Sequence, residues 1–177
     1  MSNRTGTAYA LTCFHRIVED AEDELEECLA ALPRGADSPL ARVERLHLSR
    51  LHIFRKLVHQ GPMQRKRDNL QHAHLVFTST FNGELDDYLD ELAGLVPEAD
   101  DWWGLCVGYP GRADRAAFTA WIKAGQVDTT LFQSPIPTVT VADVRAASAL
   151  RERVLDFAVA TQGADAETLY RRFREEF

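Results

Sequence analysis

The hydrophobic period of this chain switches repeatedly between a strand's alternation and a helix's three- and four-residue spacing, and the order of those switches restricts the fold most. Ala8 to Ile17 is rich in strand formers and reads as a first strand. Residues 19 to 27 then carry seven acids, while Leu25, Cys28, Leu29 and Leu32 recur at helical spacing, so a helix with an acidic outer face follows. Pro33, Gly35 and Pro39 end it. From Arg45 to Val58 the chain alternates again. Leu46, Leu48, Arg50, His52 and Phe54 share one face, and His47, Ser49, Leu51, Ile53 and Arg55 share the other. Apolar groups on both faces predict a strand covered on both sides.

His59 to Asn69, with Gly61, Pro62 and the basic cluster Arg65, Lys66 and Arg67, reads as a hairpin connection. His74 to Phe81 is a third strand. Asn82-Gly83 turns the chain into a second helix, with Leu85, Tyr88, Leu89, Leu92 and Leu95 on one stripe and acids on the other. Trp102 to Tyr109 is expected as a fourth strand, closed by Pro110 and Gly111. The order β-α-β-β-α-β is the split βαβ, or ferredoxin-like, motif. An α+β fold follows, with a four-stranded antiparallel sheet, both helices on one face, and the other face available to a ligand, a partner or the tail. The tail is predicted as a helix over Ala113 to Gln126, a short strand over Thr129 to Ser134, a long helix capped by Thr140, and a last helix over Ala166 to Phe177. The expected organisation is one domain over 1–177, with a ferredoxin-like core at 8–110 and a helical extension at 111–177.

Composition sets the setting. A chain of 177 residues with 45% hydrophobic and 27% charged residues is that of an ordinary globular protein. No apolar run approaches the roughly 18 residues of a membrane helix. The opening MSNRTGTAYALTCFHRIVED does not read as a secretory signal. Three widely spaced cysteines suggest free thiols and a cytoplasmic location. A net charge of −7 argues against nucleic acid as a partner, and the strand HAHLVFTSTF lacks the aromatic run of an RNA-recognition module.

The runs SPLARVERLHLSRLHIF, HLVFTSTFNGELDDYLDEL and WWGLCVGYPG resemble segments of a group of bacterial ferredoxin-like proteins that carry no assigned activity. Some members of that group are modules within larger chains. The similarity covers roughly residues 8 to 160, with the three segments in the expected order. More distantly, the architecture is similar to the dimeric α+β barrel superfamily, which includes cofactor-free monooxygenases, heme-handling enzymes and cyclases. That resemblance implies a homodimer formed by stacked sheets. Dye-decolorising peroxidases share the architecture, but their GXXDG-type heme motif has no counterpart here; the closest string is Phe81-Asn82-Gly83.

Among candidate functional residues, His47, Arg50 and His52 interrupt an otherwise apolar strand. A buried arginine is costly unless paired, so Arg50 should snorkel to water, meet a carboxylate or face a ligand cavity. As a site, Arg50 would hold an anionic or carbonyl oxygen, and His47 or His52 would move a proton. Strict alternation puts His47 on the face away from the other two, so only a bulge lets all three line one pocket. Trp102, Trp103 and Tyr109 are expected to give the pocket an aromatic wall. The expected function is a small-molecule-binding protein, read as a metal-free enzyme acting on an apolar or aromatic substrate beside the sheet. The alternatives are a non-catalytic assembly module and a heme protein with a histidine axial ligand. No cofactor and no metal are otherwise expected. His72-Ala73-His74 offers two imidazoles but no third ligand at a recognisable spacing, and Cys13 and His15, two residues apart on one strand face, form a candidate nucleophilic pair.

Overall fold

The computed structural model of the protein describes residues 3–59, 61–66 and 69–177. These fall into two compact units, the first ending at Thr140 and the second running from Val141 to Phe177.

The first unit is built on a four-stranded antiparallel sheet of β1 (Arg4–Thr5), β2 (Ala8–Arg16), β3 (Leu46–Phe54) and β4 (His74–Asn82), in the order β1-β2-β4-β3. The pleat sorts its residues cleanly. Leu11 and Cys13 of β2, and Leu75, Phe77 and Phe81 of β4, point into one core with the helices. That core is completed by Leu25 of α1 (Glu22–Ala31), by Tyr88, Leu89 and Leu92 of α2 (Leu85–Leu95), by both tryptophans of α3 (Ala99–Trp103), and by Phe118 and Ile122 of α4 (Arg115–Ala124). Phe81 stacks on Tyr88 at 3.8 Å, which fixes α2 against β4. Arg45 then crosses Gly83 to pair with Glu91 at 2.7 Å. Gly83 has φ of +94° there, a conformation that favours glycine.

A β-bulge between Leu46 and Leu48 alters the reading of β3. Leu46 lies opposite Phe81 and packs on the core, whereas Leu48 lies opposite Thr80. The extra residue moves Leu46 off the face of Leu48, Arg50, His52 and Phe54 and onto that of Leu51 and Ile53. The strand is also covered on one side only. Leu48 is 56% and Phe54 39% exposed, so the expectation of burial on both faces is corrected.

The expected fourth strand does not form. Residues 99–103 are helical, Gly104 donates to the Asp100 carbonyl at 2.9 Å, and turns follow. Helical geometry buries Trp102 and Trp103 together, where a strand would have sent them to opposite faces. Three short pieces instead satisfy the outer edge of β2. Asn3 accepts from Ala10 at 2.8 Å, Gly125 from Phe14 at 2.9 Å, and Leu105 from Val18 at 2.9 Å. Val127 and Val107 in turn donate to Thr12 and Arg16, each at 2.8 Å. The sheet is therefore α+β and antiparallel, but its closing edge is assembled from fragments and the full β-α-β-β-α-β order is not completed.

Residues 129–134 form no strand either. They lie beside β1 through side-chain bonds, Thr129 N–H to Asn3 at 2.7 Å and Thr5 Oγ1 to the Phe132 carbonyl at 2.7 Å.

The second unit comprises α5 (Val141–Ala160) and α6 (Ala166–Glu176), joined through Gly163 at φ +77°. Asp165 caps α6 by accepting from Thr168 N–H at 2.9 Å. Phe157, Phe173 and Phe177 cluster with centroids 5.2–5.9 Å apart, and Arg153 lies over the Phe177 ring at 5.0 Å.

Candidate functional site

The side of the sheet away from α1–α4 carries one residue of each strand per cross-strand row. Leu48, Thr80 and Ala10 form the first row, and Arg50, Thr78 and Thr12 the second. His52, Val76 and Phe14 form the third, followed by Phe54, His74 and Arg16. A cavity of about 420 Å³ lies on this face, lined by Arg50, Leu51, His52, Phe54, Val76 and Thr78. His52 meets Phe54 edge-on at 4.9 Å, and Phe54 leans on Phe14 at 6.5 Å. Arg50 has no ion-pair or hydrogen-bond partner among the described residues. The Thr78 hydroxyl is shielded from solvent and also has none among them.

Of the residues expected to act together, Arg50 and His52 do lie together, because alternation beyond the bulge keeps them on one face. His47 is the bulge residue itself; it is exposed and does not line the cavity. Arg50 meets no carboxylate, so the reading in which it anchors a buried ion pair is set aside.

The expected aromatic wall lies elsewhere. Trp102 and Trp103 are fully buried among Phe77, Phe118 and Trp121. The Tyr109 hydroxyl donates to Asp100 at 2.5 Å, and Asp100 also holds Arg112 at 3.1 Å. Burial and the neighbouring Asp100 carboxylate push the Tyr109 phenol well above its ordinary range. The aromatic rings near Arg50 are Phe14 and Phe54. Their parity relative to Arg50 was available in the sequence for Phe54; that of Phe14 needed the register of β2 on β4.

Cys13 and His15 share the core side of β2 without forming a reactive pair. The Cys13 thiol faces the Phe77 carbonyl at 3.7 Å, and burial pushes its pKa up to about 12; burial does the same to Cys106. His15 is 6% exposed and stacks on Trp121 at 3.5 Å with an interplanar angle of 12°. Its Nε2 has no partner among the described residues, and desolvation pulls its pKa down to about 4, so the ring is neutral near pH 7. Heme ligation requires open space in front of an imidazole nitrogen. A Cβ built on Gly125 would lie 2.9 Å from His15 Nε2, so this ring has no axial approach and does not fit the role.

His74 sits on the open face, whereas His72 lines a separate cavity with Glu19, Asp20 and Glu22. Among the described residues, no group of three or more histidine, cysteine or acidic side chains is placed to hold a metal ion. Arg65 and Lys66 are exposed, while Arg67 lies outside the described residues. No helix among the described residues is long and apolar enough to cross a membrane. Comparison with protein-family models, curated proteins and solved structures gives no match to the chain.

Proposed function

We propose that this protein binds an apolar or aromatic small molecule on the open face of its sheet, with Arg50 holding an oxygen of the ligand and His52 placed to transfer a proton. The observation that carries the reading is the cavity in which Arg50, His52 and Thr78 converge beside Val76 and Phe54. Small-molecule sites combine an apolar floor with a few convergent polar groups, and this one has both. A guanidinium polarises a carbonyl or steadies an oxyanion, and an imidazole accepts or donates a proton near neutral pH, so the two suffice for simple acid–base chemistry. The more distant similarity to the dimeric α+β barrel superfamily, which includes cofactor-free enzymes, is consistent with ligand binding at such a face. Three free cysteines suit a reducing, cytoplasmic setting.

The test is a thermal-shift screen of small aromatic compounds against wild type, Arg50→Met and Thr78→Val. Compounds that stabilise wild type should lose most of that effect in Arg50→Met. Stabilisation that survives both substitutions would place the site elsewhere. No Soret band is expected on adding hemin.

A second reading, self-association through the same face, is favoured by its exposed Leu48, Phe54 and Phe14, the last 41% exposed. Light scattering at micromolar concentration separates the two, a mass of two chains supporting the dimer.

A further inference from the structure

We infer that the ligand of this face is an organic anion, an apolar or aromatic acid with a single carboxylate head. This rests on the open face being the binding face and adds the charge and chemical class of what it binds. The chain contains 27 acids against 20 lysines and arginines, yet none of those acids lies on the open face of the three long strands. Its ionisable groups there are Arg16, Arg50, His52 and His74. A cationic face on a protein of net charge −7 selects an anion over a neutral or cationic molecule.

Arg50 is the natural contact. Arg42, Arg45, Arg55 and Arg115 are each held by a carboxylate of the chain, whereas Arg50 is not. A guanidinium binds a carboxylate through two parallel N–H···O bonds, and an unengaged one beside a cavity retains that capacity. Thr78, directly across from Arg50 on β4, lines the cavity beside it. The body of the ligand would lie toward Val76, Phe54 and Phe14, next along the strands.

The geometry also limits the head group. Phosphate-binding sites use clusters of backbone N–H groups or several cations together. Here β4 is paired on both sides, by β2 and β3, so its backbone donors are committed to the ladders. The single guanidinium that lines the cavity suits a single carboxylate better than a phosphate of two or more charges.

The experiment is NMR titration of the full chain with phenylacetate, 4-phenylbutyrate and octanoate, each beside its neutral amide, and with inorganic phosphate. The acids should shift the amides of Arg50, His52, Val76 and Thr78 and bind at least tenfold more tightly than the amides. Arg50→Met should abolish that preference, and Arg50→Lys should keep only part of it, while both variants melt as wild type does. If amides and acids bind this face equally, the anion inference falls and the face remains a binding site. If phosphate binds better than every acid, the carboxylate assignment falls. If none of the probes shifts these residues, both the inference and the reading beneath it fail. A mass of two chains with the face closed to every probe would overturn them as well, assigning the face to a second copy.

Discussion

Acidification should destabilise this protein through one core residue, His15. Its folded-state pKa is pulled from 6.5 to about 4 by desolvation. The unfolded chain therefore takes up a proton near pH 6.5, while the folded chain refuses it until about pH 4. Above pH 6.5 both states carry neutral imidazole and the residue contributes no pH dependence. Between pH 6.5 and 4 the unfolded state binds more protons, so stability falls as pH falls, by about 1.4 kcal/mol per unit. The full effect is about 3 kcal/mol, a large share of a typical folding free energy and worth roughly 6–12 °C in melting temperature. Carboxylates lose stability over part of the same range, so the measurement must be a difference. Urea unfolding of wild type and His15→Leu, followed by tryptophan fluorescence at half-unit steps from pH 7.5 to 4, supplies it. The wild type should lose about 3 kcal/mol relative to the variant across that range, with no relative change above pH 7. A difference that stays flat to within about 1 kcal/mol, or an NMR titration of His15 near pH 6.5, would refute the argument.

The same site makes Gly125 irreplaceable. A Cβ there would stand 2.5 Å from His15 Cε1 and 2.7 Å from the Phe14 carbonyl, so Gly125→Ala should cost about 2 kcal/mol, read as a lowered urea midpoint. At Gly6, with φ of +61° and a Cβ that would stand 2.1 Å from the Pro137 carbonyl, Gly6→Ala should lower the melting temperature and expose the 129–137 segment to proteolysis. Cys13 and Cys106, buried with thiols raised to about 12, should resist a thiol-specific disulfide reagent at pH 8; folded protein should titrate one cysteine, the half-buried Cys28, and denatured protein all three. Glu91→Gln should reduce stability by about 1 kcal/mol by weakening its partly exposed pair with Arg45, an effect read by urea unfolding at low salt and diminished at high salt.

Much of this fold was legible because its strands and helices have clean periods. The three long strands and the two helices between and after them follow from the spacing of residues such as Leu11 and Cys13, Phe77 and Phe81, or Tyr88, Leu89 and Leu92. The failure at 102–109 has a physical cause. WWGLCVGY holds three aromatic residues and a valine, and strand propensity is largely a preference for a half-buried pleated surface. Trp102 and Trp103 satisfy the same demand inside a helix, both rings fully buried in the core, with Trp103 against Phe77 of the sheet and Phe118 of α4.

The site was half legible for a related reason. Alternation alone put Arg50 and His52 on one face, but it could not locate the bulge at His47, which depends on pairing with β4. A single residue decides the matter, because a one-residue shift sends every side chain of a strand to the opposite face. Two constraints compete along β3. Arg45 must reach Glu91 and Leu46 must pack opposite Phe81, while Leu51 and Ile53 must also face the core. Leu46 and Leu51 have opposite parity, so an unbroken strand cannot meet both demands. The extra residue at His47 reconciles them and thereby turns Leu48, Arg50, His52 and Phe54 outward together. The cationic, partly apolar face is thus a consequence of how the core is packed at both ends of one strand. Arg50 interrupts no buried strand, because β3 is not buried on that side.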